Sequence, residues 1–172
     1  LIPGVALYMV GGATAPYASY EEARDTFPTT PVEGQVAGSA MLYSSGTTGR
    51  PKGVRRAGAV DPAIDAPNGL AMIGQALYGW TQDTVYLSPA PLYHAAPLRY
   101  TLGVHRLGGT VVVMEHFDPE RYLQLVQQHR ITHTQLVPTM FVRMLKLPEA
   151  TRKQYDLRSL RVAIHAAAPC PV

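Results

Sequence analysis

The run Tyr43-Ser44-Ser45-Gly46-Thr47-Thr48-Gly49-Arg50-Pro51-Lys52-Gly53-Val54 gathers two hydroxyl pairs, three glycines and one lysine behind an apolar stretch at 40–43. Glycine tolerates positive φ, so Gly46 and Gly49 let the backbone curl and turn its N–H groups one way. Successive N–H groups aimed at one point form an anion-binding nest. The hydroxyls of Ser44, Ser45, Thr47 and Thr48 add donors, Lys52 adds a mobile positive charge, and Pro51 stiffens the chain before it. This is the chemistry of a polyphosphate cradle.

Clusters of Ser, Thr and Gly also serve as ordinary surface loops. The preceding strand-like run and the Pro51-Lys52 step set this one apart. It is not a Walker loop, which requires Gly, four residues, then Gly-Lys-Ser/Thr. Here Lys52 follows Pro51 and precedes Gly53.

The twelve-residue run resembles the signature of the adenylate-forming enzymes: acyl-CoA synthetases, luciferases and peptide-synthetase adenylation domains. The likeness continues along the chain and is nearest to bacterial fatty-acyl-CoA synthetases. It implies that the loop grips the β- and γ-phosphates of ATP while a carboxylate attacks the α-phosphorus. It also implies Mg²⁺ bridging phosphate oxygens and CoA as the acceptor. Two further stretches gain roles by the same resemblance. His94, in Pro89-Ala90-Pro91-Leu92-Tyr93-His94, is assigned to substrate gating and positioning rather than acid–base work. Ala167, Ala168 and Pro169 fall where relatives place a small-residue turn against adenine, although glycine is common there at the position of Ala166. Without the resemblance, an isolated histidine such as His94 is more often structural than catalytic, although the preceding strand and double proline favour a positioned role, and 166–169 reads equally as a bare strand exit.

These groups must be held by elements. Strands are expected at 5–10, 40–43, 84–88, 110–114, 131–137 and 160–164, with a returning strand opening at Val54. A helical turn is expected at 20–25 inside a connection spanning 13–39. Helices are expected at 69–80, 97–107, from Asp118-Pro119-Glu120 to about Arg130, and at 139–147. Leu70, Ile73 and Leu77 mark the inward face of the first, and the β-branched run 110–114 reads as a buried strand. Alternating strands and helices predict an α/β fold with a mainly parallel sheet and flanking helices. Ligands gather beyond the carboxyl ends of such strands, so the loops after Tyr43, Ser88 and Ile164 are expected to build one ATP site.

Other candidates carry less. His129 and His133 are four apart, but Arg130 stands where a zinc helix needs glutamate, and the segment changes from helix to strand between them. Cys170 lies between two prolines without a base partner and reads as buried. No Gly-x-Ser-x-Gly elbow is present. Phe141, Met144 and Leu145 have helical spacing and read as core, with an acyl-pocket role left open by the resemblance.

Apolar residues make up 47% of the 172 and charged residues 16%, the latter below the globular norm, so more protein is expected to cover part of the surface. A net charge of +3 without a dense basic stripe excludes a nucleic-acid binder. One cysteine excludes an internal disulfide. No apolar run reaches membrane-spanning length, which points to a cytoplasmic protein, peripheral membrane association remaining open. Leu1 in place of an initiator suggests an internal piece of a large N-terminal domain, the rest of the parent chain and its catalytic-lysine domain lying elsewhere. The parent is expected to convert a fatty acid to acyl-AMP and then acyl-CoA, with this piece inactive alone. Loading of a carrier protein and a non-catalytic nucleotide-binding module are the alternatives.

Overall fold

The computed structural model describes residues 3–37, 41–43, 50, 52–54 and 63–169, with the backbone alone at Leu42. The chain divides into two compact units, one of residues 1–39 and 58–64, the other of 40–57 and 65–172.

In the first unit, β1 (Tyr8–Met9) pairs in parallel with β2 (Ala18–Ser19), which runs into α1 (Tyr20–Asp25). The Ser19 hydroxyl accepts from the Glu22 N–H at 3.2 Å, and Glu21 and Glu22 place acid in the first turn. The helix has its expected bounds. The strand expected at 5–10 shrinks to the two residues that pair with β2, and Val5 and Val10 are exposed rather than buried. β2, inside the supposed connection, was not expected.

The second unit holds two separate sheets. β3 (Leu42–Tyr43) and β4 (Gly53–Val54) form an antiparallel ladder with Tyr43 opposite Gly53. The larger sheet contains β5 (Val85–Ser88), β6 (Thr110–Val113), β7 (His133–Leu136) and β8 (Val162–His165), all parallel, in the order β6-β5-β7-β8. Its connections are helical: α3 (Ala95–Arg106) after β5, α4 (Pro119–His129) after β6, then α5 (Pro138–Leu145) and α6 (Glu149–Lys153) before β8. α2 (Gly69–Tyr78) precedes the sheet. The fold is α/β with a parallel sheet, as the alternation predicted, but the strand feeding the phosphate loop belongs to the antiparallel pair.

Each face of the sheet carries its own core. Leu87 and Leu136 pack with Tyr122, Leu123 and Val126 of α4 and Met140 of α5. On the other face Tyr86 packs with Trp80 and Val104, joined by Leu70 of α2 and Tyr100 of α3. Full burial of a Leu, Val or aromatic side chain contributes roughly 1.5–3 kcal/mol, so these residues outweigh the weak propensities of four-residue strands.

Local chemistry sets the helix ends. The Asp118 carboxylate accepts from the Arg121 N–H at 2.7 Å, with Pro119 in the first turn of α4, while Arg130 (φ 50°) closes the helix. The Asn68 side chain accepts from the Leu70 and Ala71 N–H groups, and Gly79 (φ 67°) ends α2.

Several expectations fail for tertiary reasons. α2 does not bury Ile73 and Leu77, which are exposed; Ala71 and Gly74 face inward instead. A Cβ at Gly74 would lie 1.9 Å from Trp80 Cε3, so the small residues line up where the indole needs room. β6 is an edge strand with exposed ends rather than a buried one. α3 starts at Ala95, two residues ahead of Pro97, with Leu107 rather than Gly108 as its cap. Phe141 and Met144 join the core, but Leu145 is exposed. Pro148 both ends α5 and caps the unexpected α6. Among the described residues no helix is long and apolar enough to cross a membrane.

Candidate functional site

The phosphate-loop residues Ser44, Ser45, Gly46, Thr47, Thr48 and Gly49 lie outside the described residues, as does Cys170. Their flanks are described. The pairing of Tyr43 with Gly53 closes the loop at its base, and Lys52 is exposed immediately before β4. A Cβ at Gly53 would sit 3.2 Å from the Tyr43 ring, so glycine lets that ring lie across the ladder.

His94 is the N-cap residue of α3. Its N–H donates to the Pro91 carbonyl at 3.1 Å and its carbonyl accepts from the Leu98 N–H at 3.3 Å. These bonds fix the backbone. The imidazole makes no capping bond; it is exposed and rests against the Tyr93 ring, centroids 4.5 Å apart. At the end of β8, the Ala166 N–H extends the ladder by donating to the Leu136 carbonyl at 3.1 Å. Ala167 then takes φ 75°, a conformation rare for a residue with a Cβ, and Ala167, Ala168 and Pro169 are exposed. Small exposed side chains there leave the backbone open to a flat ring.

Parallel pairing puts the carboxyl ends of β5, β7 and β8 on one edge of the sheet. His94 and the 166–169 turn therefore share that end. The strand order reverses direction between β5 and β7, which makes the same end a topological switch point, where open α/β sheets form ligand crevices.

Two polar groups near this end were not anticipated: Ser88 Oγ and Gln135 Oε1 are buried without a hydrogen-bond partner among the described residues. The available sign was Gln135 itself, a polar residue inside a run otherwise read as a buried strand. Thr134, on the opposite face, is satisfied through its hydroxyl to the Leu87 carbonyl at 2.9 Å.

His133 is buried and fully engaged. A carbonyl can only accept, so its contact of 2.8 Å with Tyr78 O places a proton on Nε2; Nδ1 lies 2.8 Å from the Thr132 hydroxyl, whose one proton is shared with the Val85 carbonyl at 3.1 Å. Burial holds its pKa below the ordinary histidine value, opposed by the Tyr78 carbonyl and reinforced by Arg161. With both nitrogens taken, His133 is not half of a metal pair with His129. A surface recess lined by Gln127, Arg130, Asp156, Arg158 and Ser159 lies beside the amino ends of β7 and β8, away from His94. Its Asp156 carboxylate is taken up by a two-point bond from Arg158, at 2.9 and 2.7 Å.

The profile of the AMP-binding enzyme family matches residues 9–172. The chain is 35% identical to 4-coumarate--CoA ligase 5 of Oryza sativa subsp. japonica, over 98% of this chain and 31% of the relative. It is 33% identical to the medium/long-chain-fatty-acid--CoA ligase FadD8 of Mycobacterium tuberculosis, over 74% of this chain and 21% of the relative. Among solved structures, the inhibitor-bound N-terminal domain of FACL13 from Mycobacterium tuberculosis superposes with a TM-score of 0.62 at 27% identity, covering 76% of this chain and 31% of that one. The chain thus spans less than a third of the length of each of these relatives. Relatives with aromatic and with fatty acids in their names stand side by side, so the leaning toward fatty-acyl enzymes narrows back to CoA ligases in general. A profile match running through the phosphate-loop signature, the His94 loop and the 166–169 turn identifies this chain as part of the N-terminal domain of a member of the AMP-binding enzyme family.

Proposed function

We propose that the whole protein activates a carboxylic acid with ATP, forming acyl-AMP and pyrophosphate, and then transfers the acyl group to CoA. The observation that carries this reading is the phosphate-loop signature at 43–54 within a chain that belongs to the AMP-binding enzymes. Acid–CoA ligases among the relatives support CoA as the acceptor.

In this scheme Ser44, Ser45, Thr47 and Thr48 donate to the β- and γ-phosphates, Gly46 and Gly49 let backbone N–H groups join them, and Lys52 offsets charge on the departing pyrophosphate. The closed base of the β3–β4 ladder holds the two ends of the loop together. His94, projecting from a fixed cap position, orients the acid, and the turn at Ala167, Ala168 and Pro169 accepts the adenine face. Mg²⁺ arrives with ATP and neutralises phosphate charge. It prefers phosphate oxygens and water to an all-protein cage, and among the described residues no His, Cys, Asp or Glu cluster offers one.

The test is acid-dependent ATP–pyrophosphate exchange by the full-length protein, across fatty, aromatic and amino acids, with Lys52→Ala alongside. Removing a fixed stabiliser of transition-state charge costs about 10²–10³ in rate, and a fall of that size in Lys52→Ala is the expected result. Addition of CoA should then release AMP and thioester. Exchange that persists undiminished in the variant would remove Lys52 from the chemistry.

A further inference from the structure

The recess lined by Gln127, Arg130, Asp156, Arg158 and Ser159 has a volume of about 390 Å³, at the small end of the roughly 300–1,000 Å³ of ligand pockets. Two fixed pieces of backbone form it. Arg130 closes α4 at φ 50°, with its N–H donating to the Gln127 carbonyl at 3.3 Å and the Ile131 N–H to the Val126 carbonyl at 3.0 Å. Those bonds occupy carbonyls that would otherwise present the negative end of the helix. The turn at 156–160 is the other piece: the Arg158 N–H donates to the Asp156 carboxylate and the Leu160 N–H to the Leu157 carbonyl, both at 3.0 Å. Gln127 ties the two together, its side-chain oxygen accepting from the Asp156 N–H at 2.7 Å.

What these bonds leave over is a set of donors. Asp156 is the one acid on the lining, and Arg158 takes both of its oxygens through Nε and Nη2. The same bonds hold the Asp156 pKa well below the usual carboxylate range, so it stays ionised and occupied. Nη1 of Arg158 remains available. The Gln127 oxygen is engaged, so its amide offers the NH₂ group. Arg130 is near enough to help depress the Asp156 pKa, yet its guanidinium makes no ion pair among the described residues. Ser159 Oγ is buried with no hydrogen-bond partner among the described residues, a state that costs the desolvation of the atom unless something enters to meet it. Two guanidiniums against one carboxylate leave the recess positive, and Arg161, just before β8, adds to the field at this end of the sheet.

We propose that this recess binds a phosphate group, at a site distinct from the loop at 44–52 and at the end of the parallel sheet away from His94. A carboxylate has two oxygens in one plane, which one arginine fork satisfies, as Arg158 does for Asp156. Phosphate presents acceptor oxygens in three directions, which suits donors carried by Arg130, Arg158, Gln127 and Ser159 on two separate pieces of backbone. The recess is larger than the bare ion, so the group arrives either as free phosphate or on a small organic body.

The experiment is equilibrium dialysis of radiolabelled inorganic phosphate against the full-length protein at fixed ionic strength, with Lys52→Ala as the background so that the phosphate loop contributes little. Saturable binding is expected in that background. Adding Arg130→Gln should weaken it about tenfold, the loss of one charge-assisted bond, and adding Ser159→Ala should weaken it several-fold. Unlabelled phenyl phosphate should displace the label, and acetate at equal concentration should not. Phenyl phosphate displacing better than inorganic phosphate assigns the site to a phosphate on an organic body; the reverse order assigns it to the free ion. No saturable binding, or binding seen in the wild type but absent in Lys52→Ala, overturns the proposal. So does displacement by acetate as readily as by phenyl phosphate, or an affinity unchanged by both recess substitutions. Ser159→Ala removes one hydroxyl from a half-buried turn residue and keeps the test decisive if Arg130→Gln does not fold. Acid-dependent exchange is measured separately, so adenylation stands or falls apart from this site.

Discussion

Ala167 shows how a single residue can sit against its own preference. At φ 75° its Cβ crowds the backbone, a cost of roughly 1–2 kcal/mol that glycine escapes. Part of that gain is lost to the greater freedom of glycine in the unfolded chain. Ala167→Gly is therefore expected to raise stability by about 0.5–1 kcal/mol, read as a higher urea midpoint at unchanged slope. A lower midpoint would mean that the methyl group makes contacts worth more than the strain. If the turn accepts adenine, the variant should also change the KM for ATP, since a looser turn presents its backbone less firmly. His94 is the opposite case: its backbone is held from both sides while its ring is left in the open.

At the scale of elements, α2 is decided by Trp80. The apolar pattern alone favours a face of Leu70, Ile73 and Leu77, yet the indole is 1% exposed and lies where a Cβ on Gly74 would stand. The helix turns its small residues inward because the indole fills the space that a larger side chain at Gly74 would need. Gly74→Ala must push the ring or the helix aside, and overpacking of this kind costs about 1–3 kcal/mol. Trp80 is the only tryptophan, so its fluorescence reports the shift directly alongside the urea midpoint. An unchanged spectrum and midpoint would show that the ring moves freely. The ends of α4 needed no such help: Asp118-Pro119 starts it from side-chain and backbone chemistry within four residues.

Within the second unit, His133 links β7 to the end of α2 by Tyr78 and, through Thr132, to β5 by the Val85 N–H at 3.0 Å. The neutral ring is the form that fits, and its pKa is lowered in the folded state, chiefly by burial and further by Arg161. In the unfolded chain the ring protonates near pH 6.5. As pH falls through that value the unfolded state takes up a proton that the folded state refuses, so stability is full above it and declines below it. His133→Gln should show a shallower loss of urea midpoint between pH 7.5 and 5 than the wild type. Parallel pH profiles for the two proteins would show that His133 is protonated without penalty.

Much of this protein was legible in its residues. The phosphate-loop signature, the α/β alternation, the bounds of α1 and the start of α4 depend on glycine, proline, capping groups and spacing, all of which act within a few residues of themselves. The rest required tertiary structure. Which face of α2 points inward depends on a tryptophan outside the helix. The returning strand at Val54 was legible, but not that its ladder with β3 stands apart from the parallel sheet. The burial of the polar side chains of Ser88, Thr101 and Gln135, on three elements up to 47 positions apart in the chain, is of the same kind. No local pattern marks it, because strand register and helix placement decide which side chains are covered.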